Sequence, residues 1–320
     1  MARYGYTYAT VNDYPDFDPA IDAEMLRKAM KGWGTDEQAI IDVLAQRSNW
    51  QRQEIYTVYK ASYGRDLIDD LKSELSGKFE DAIIAVMMPS IEFLARHLHK
   101  AVSGIGTDEE SIIEIMVTST NTELEEIKDT YENLFGNSLE SDLSADTSGH
   151  FRRLLVSLCQ AMRDESPDVD GDEALADAQA LFEAGEGQWG TEESVFNRIL
   201  VTKNFYYLQF VFAEYEKLTG LTIEHSIKNE TSGDLQMGLL AIVQCVRSIP
   251  AYFAERLYRA MKGFGTDDRT LIRIVAVRSE RDMVLIKSEF EKNYGRTLEH
   301  FIAGDTSGDY KKFLLALVRG

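Results

Sequence analysis

Four carboxylates stand at one fixed distance from four glycine-rich turns. Glu74, Asp146, Glu230 and Asp305 each open an acid-x-Ser-Gly stretch (ELSGKF, DTSGHF, ETSGDL, DTSGDY). Each lies 42 residues after a loop position: Gly32, Gly104, Gln188 and Gly263. The loops occupy segments that align without gaps, KAMKGWGTDEQAIIDVLAQRS from Lys28, KAVSGIGTDEESIIEIMVTST from Lys100, AGEGQWGTEESVFNRILVTKN from Ala184 and RAMKGFGTDDRTLIRIVAVRS from Arg259. A helix end leaves carbonyl oxygens without intrahelical partners, and a glycine turn adds more in a narrow arc. Calcium takes roughly six to eight oxygen ligands and mixes carbonyls with carboxylate and water, whereas magnesium demands a tighter octahedron. The carbonyls of Met30, Gly32 and Gly34 with a bidentate Glu74 supply about five, leaving positions for water or a phosphate.

A single copy has a plainer reading. Gly32 ends the helix predicted over 21–30, and Thr35 suits the N-cap of the next, with Gln38 as its capping-box partner; Thr107 and Glu110 repeat the pattern. Each acid alone reads as a helix-dipole partner, with Ser76 and its equivalents capping the following helix. Recurrence at one spacing in four copies favours the metal.

The elements that position these groups are a fourfold repeat. The loop positions step by 72, 84 and 75 residues, and the longer middle step holds the acidic linker RDESPDVDGD at 163–172. The linker divides the array into two pairs of repeats, one on each side. After each acidic motif the same apolar offsets recur: Phe79, Ile83, Val86, Met87; Phe151, Leu155, Leu158, Cys159; Leu235, Leu239, Ile242, Val243; Tyr310, Leu314, Leu317, Val318. That is one buried helical stripe written four times. Strand periodicity is lacking, so the expectation is an all-α chain with four or five short helices per repeat. The boundaries are a tail at 1–17, repeats at 18–89, 90–162, 173–248 and 249–320, and the linker.

The 320 residues are 44% hydrophobic and 28% charged, enough for a packed core. Lys and Arg number 34 against 54 Asp and Glu, a net charge of −20. Such a surface repels nucleic acid, and repels anionic membranes unless a cation bridges the two. One carboxylate on a divalent ion leaves local positive charge at the loop. Cys159 and Cys245 sit in apolar helical patterns and read as buried free thiols. The first residues hold no signal-peptide core, and no apolar run reaches the 18 or so residues that span a bilayer, so the expectation is a soluble intracellular protein.

The G-x-G-T loops, the distant acid-x-Ser-Gly partners and the four repeats with a long central linker resemble the annexin family over residues 18–320. The resemblance implies a curved disc of four five-helix repeats, non-enzymatic, with calcium loops on its convex face. It implies calcium-dependent binding to acidic phospholipids such as phosphatidylserine, and a cytoplasmic protein recruited to membranes when calcium rises. Carried over by position, the calcium ligands are Met30, Gly32, Gly34 and Glu74; Val102, Gly104, Gly106 and Asp146; Met261, Gly263, Gly265 and Asp305. Repeat three departs from the pattern, and there the ligands are Gly185, Gln188, Gly190 and Glu230, with Gly187 as a substitute. Secondary sites fall near Thr35 and Glu37. The large apolar residue at each tip, Trp33, Ile105, Trp189 and Phe264, either folds back on its helix or dips into the headgroup–acyl boundary. Self-association on membranes, as trimers or a lattice, stays open, and no protein partner is implied.

Rival readings rest on less. Gly185–Gly190 matches G-x-G-x-x-G but follows a helical pattern, and SPDVDGD lacks the final glutamate of an EF-hand. His97, His99, His150, His225 and His300 lie in unrelated contexts and read as surface or packing residues rather than catalysts. A calcium-regulated ion channel, which would involve Glu114 and Arg278, is weakened because Ser119 stands where the family often has arginine. A membrane scaffold with protein partners is the other alternative. The tail, with Tyr4, Tyr6, Tyr8 and Tyr14, lacks the spacing of a partner-binding helix; tyrosine phosphorylation and disorder both fit it, and disorder is the expectation.

Overall fold

The computed structural model describes residues 8–320 apart from Trp33, Ile105 and residues 188–190. Among the described residues there are 19 helices and no strand. Repeat one contains α1 (Pro19–Ala29), α2 (Glu37–Leu44), α3 (Asn49–Tyr63), α4 (Leu67–Glu74) and α5 (Gly77–Met87). Repeat two contains α6 (Ser90–Val102), α7 (Glu109–Thr118), α8 (Asn121–Phe135), α9 (Leu139–Asp146) and α10 (Gly149–Cys159). Repeat three has α11 (Gly171–Ala184), α12 (Glu193–Thr202), α13 (Phe205–Thr219) and α14 (Ile223–Glu230). Next, α15 (Gly233–Met261) runs into repeat four, which continues with α16 (Asp268–Arg278), α17 (Met283–Tyr294), α18 (Leu298–Asp305) and α19 (Gly308–Arg319).

By length and composition α15 qualifies as a bilayer span, since its 29 residues hold an 18-residue window of mean hydropathy 1.4. This differs from the expectation that no apolar run is long enough to span a bilayer. Two facts assign the helix to packing: Ser248 is extended (φ −169°, ψ 110°) just before Pro250, so two helices meet there, and 56% of the window is buried.

Two compact units emerge. One joins Met1–Phe93 to Phe253–Gly320, and so repeats one and four; the other is Leu94–Tyr252, repeats two and three. This corrects the pairing inferred from the linker. The reason is the apolar stripe, which is buried throughout except for half-buried Leu235. In the first unit α5 packs on α16 and α19, and Phe79 meets Phe313 edge-on at 6.1 Å. In the second α10 packs on α12, and Gly238 lies so close to α10 that a Cβ there would stand 2.6 Å from Leu154 Cδ2. Each stripe residue gains about 1.5–3 kcal/mol on burial, wherever along the chain its partner lies.

The short helix that ends in each acid is fastened to the long helix before it. Tyr59 donates to Asp70 and Tyr131 to Asp142, each at 2.7 Å, and Tyr215 donates to Ser226 at 2.7 Å. In repeat four Phe290 and Phe301 make the equivalent contact edge-on, with ring centroids 5.1 Å apart. Burial, reinforced by Asp70, pushes the Tyr59 hydroxyl up to about 12. Side chains of Asp66, Ser138, Thr222 and Thr297 cap these short helices at their N-termini.

Residues 8–17 are ordered, against the expectation for the tail. The N–H groups of Thr10 and Val11 donate to Ser279 O, Thr10 Oγ1 donates to Leu317 O at 2.6 Å, and Val11 is buried. Asp13 accepts from Ser48 Oγ and Trp50 Nε1, and Arg47 lies 3.6 Å from the centre of the Tyr14 ring. These contacts pair several of the tail's backbone N–H groups and bury the Val11 side chain, which disorder would forfeit. Tyr4 and Tyr6 lie outside the described residues. The segment between α10 and α11 is likewise seated: Arg163 donates to Leu200 O and Lys203 O and lies over the Phe205 ring, while Asn204 bonds Asp164 and Asp168 O. Burial pulls the Arg163 guanidinium down to about 10.

Candidate metal centre

Each loop is closed by one backbone hydrogen bond. Asp36 N donates to Ala29 O, Asp108 N to Ala101 O, Glu192 N to Ala184 O and Asp267 N to Ala260 O, at 2.7–3.0 Å. The third bond spans one residue more than the others, so the third loop carries an insertion and the gapless alignment is corrected there. A helix ends at or just before each first ligand position: Met30 caps α1, Gly185 caps α11, and Val102 and Met261 are the last residues of α6 and α15. Gly34, Gly106 and Gly265 have φ of +81°, +84° and +84°, and Gly32 and Gly263 +127° and +114°. No atom within 4 Å would obstruct a Cβ at these five, so backbone conformation rather than space demands glycine.

The carbonyls this leaves are unspent. Among the described residues, no backbone N–H donates to the oxygens of Met30, Gly32, Gly34, Val102, Gly104, Gly106, Gly185, Met261, Gly263 or Gly265. Gly187, the substitute in repeat three, donates its N–H to Phe182 O at 2.8 Å, and a Cβ on it would strike that oxygen at 2.9 Å. Gln188, Trp189, Gly190, Trp33 and Ile105 lie outside the described residues. Phe264 is fully exposed, at 112% of its reference surface, so its ring is not folded onto a helix.

The distant acids arrive at these loops. Thr35 Oγ1 donates to Glu74 Oε2 at 2.8 Å, Thr107 to Asp146 Oδ2 at 2.7 Å, Thr191 to Glu230 Oε2 at 2.7 Å and Thr266 to Asp305 Oδ2 at 2.5 Å. Thr35 and Thr107 are therefore not N-caps. That position belongs to Asp36, Asp108 and Asp267, whose carboxylates accept from Ala39, Ser111 and Thr270 N–H, while Gln38 turns to Asp42. A carboxylate suits the positive end of a helix better than a hydroxyl, which frees the threonine. Glu192 takes the place in repeat three without a side-chain bond to a cap N–H, its carboxylate instead accepting from Ser194 Oγ. Glu37, named for a secondary site, is the first residue of α2. The plainer reading of the acids holds only in part: Ser76, Ser148 and Ser307 occupy the N-cap of the following helix but make no side-chain cap bond, and each acid is also the last residue of its own helix, at the negative end.

An acid at a helix C-terminus beside unbonded carbonyls is a set of oxygen donors in need of a cation. Among the described residues no three His, Cys, Asp or Glu side chains gather, so any ion held here rests mainly on peptide oxygens. That donor set fits a hard cation such as calcium and fits zinc poorly. The threonine contacts were not legible in advance, although the constant 39-residue separation of each pair was a signal present in the sequence. Residues drawn into rival readings are otherwise engaged. Arg278 bonds Asp282 and lies over Phe253, His99 stacks on Phe135, and His300 meets Arg296, while Cys159 and Cys245 are buried, as expected.

Comparison with known proteins agrees with this geometry. The annexin family model matches four times, at residues 21–86, 93–158, 176–242 and 252–317. Human annexin A11 is 53% identical over 97% of this chain, which spans 62% of that relative's length. The solved structure of annexin III superposes with a TM-score of 0.98 at 46% identity, covering 100% of this chain and 99% of that one. Calcium-bound annexin (Sm)1 superposes at 0.89 with 34% identity, covering 99% and 94%. The chain belongs to the annexin family, whose known property is calcium-dependent phospholipid binding.

Proposed function

We propose that this chain binds acidic phospholipid membranes when calcium is present, without catalysis, through four loops that each hold one ion between peptide oxygens and a distant carboxylate. The observation that carries the reading is the fourfold meeting of loop and acid, with the loop carbonyls left without a backbone donor among the described residues. The residues that would hold the ion are Met30, Gly32, Gly34 and Glu74; Val102, Gly104, Gly106 and Asp146; Gly185, Gln188, Gly190 and Glu230; and Met261, Gly263, Gly265 and Asp305. Bound calcium supplies a bridging charge that phosphate oxygens of the lipid complete. The protein's part is to present oxygens from rigid helix ends and to keep the remaining coordination positions open toward the membrane.

Because neither partner alone fills the shell, lipid raises calcium affinity and calcium raises lipid affinity by the same factor. Four loops acting together make weak single contacts into steep, reversible attachment. The −20 charge elsewhere opposes nonspecific adhesion, so release on chelation is complete. Phe264, and by position Trp33, Ile105 and Trp189, enter the headgroup–acyl boundary beside the bridged phosphate. The chain is read as cytoplasmic and recruited as calcium rises. Cosedimentation with phosphatidylserine vesicles across a calcium titration tests this: binding that rises with calcium and vanishes with chelator is expected, and equal sedimentation in both removes the proposal.

A further inference from the structure

We infer that the loop threonines Thr35, Thr107, Thr191 and Thr266 are positioning residues that set the calcium affinity of the four centres, a role that rests on the calcium reading above. The geometry is the same four times. The hydroxyl comes from the residue after the last loop glycine, and its acceptor is one oxygen of an acid 39 residues away at the end of another helix. In each case it is the one side chain among the described residues that donates to that acid.

The carboxylate needs such an anchor. It sits on the last residue of one helix and three residues before the next begins, so the two helix ends act on it in opposite senses and neither one directs it at the loop. A hydroxyl does so without cancelling the charge. It is neutral, so the acid keeps its attraction for a cation, which a lysine in the same place would remove. It occupies a single lone pair on Oε2 or Oδ2, leaving the other oxygen with no protein donor among the described residues. Threonine fits because its branched Cβ stiffens χ1, so the loop backbone dictates where the hydroxyl points. In repeats three and four the same hydroxyl also reaches the acid's own backbone oxygen, at 3.0 Å to Glu230 and 3.2 Å to Asp305, which steadies the helix end as well.

Partners that orient metal ligands in this way are typically worth about 10–100-fold in metal affinity. The test replaces all four threonines, once with valine (T35V/T107V/T191V/T266V) and once with serine. The calcium concentration giving half of the calcium-induced rise in melting temperature is measured without lipid, and calcium binding to phosphatidylserine vesicles loaded with each protein is followed by calorimetry. The valine protein should need about tenfold more calcium in both measurements, and the serine protein should stay within about threefold of the parent. Valine and parent midpoints within twofold, or serine as weak as valine, overturn the inference. If the fourfold valine protein does not fold, T266V alone, paired with T266S, is read in the same two ways. A parent with no calcium response at all sinks the calcium reading itself, a separate result from a parent that responds and a valine variant that matches it.

Discussion

Glu74 shows how far a single residue is committed to its site. Its carboxylate has a hydroxyl on one oxygen and sits at the end of α4, where the α4 carbonyls lack intrahelical donors, so an ion there would be shared between the acid and peptide oxygens. Glu74→Gln keeps the shape and hydrogen-bonding capacity but removes the charge. Calorimetry on vesicle-bound protein should then count one calcium fewer per chain, and an unchanged stoichiometry would reject this centre. Phe264 contributes differently, since its ring touches nothing that a fold needs. Phe264→Ser should leave the calcium count intact and weaken vesicle binding by about 10- to 100-fold, the loss of roughly 1.5–3 kcal/mol of apolar burial. Full affinity in that variant would place the ring outside the bilayer.

At the scale of elements, the acid is only as well placed as the short helix beneath it. For α4 that placement depends on Asp70, which accepts from Tyr59 and Arg65. The Arg65 guanidinium holds the Asp70 carboxyl below its usual 3.8, with burial opposing and Tyr59 assisting. A depressed folded value means that the stabilisation is fully present above pH 3.8 and is lost as pH falls through the lower folded value. Asp70→Asn should therefore lower the urea midpoint at neutral pH, and the gap from the parent should close in buffers below pH 3.8. A gap that persists in strong acid would show that Asp70 acts by shape rather than charge. Ser226 answers Tyr215 in repeat three and two aromatic rings meet in repeat four, so the same clamp is made from different chemistry.

At the scale of the whole molecule, stability is invested in joining helices that belong to different repeats. Gly238 marks where α15 and α10 approach too closely for any side chain, with Leu154 filling the space above it. Gly238→Val should cost about 1–3 kcal/mol by overpacking, measured by urea unfolding, and Leu154→Ala in the same protein should return part of that loss. Strict additivity of the two changes would mean that the helices are not in contact there. In the other unit the ordered residues 8–17 tie Ser48 and Trp50 of repeat one to Ser279 and Leu317 of repeat four, so the tail belongs to the packing of that pair.

Local pattern alone determined much of this protein. The four stripes, the helix count per repeat, the glycine turns and the recurring acids all follow from interactions within a few residues or from exact repetition, and both are written in one dimension. Tertiary structure decided matters in which several near-equal partners compete. Thr35 could cap α2 or bind Glu74, and Asp36, a better cap, released it to the distant acid. Any stripe could have packed on any other, and the linker suggested neighbours, yet repeat one joined repeat four and repeat two joined repeat three. The tail offered no periodicity to read, because what orders it is a set of carbonyls and side chains more than 30 residues away. Such choices rest on which surfaces meet after folding, and residue spacing carries no record of that.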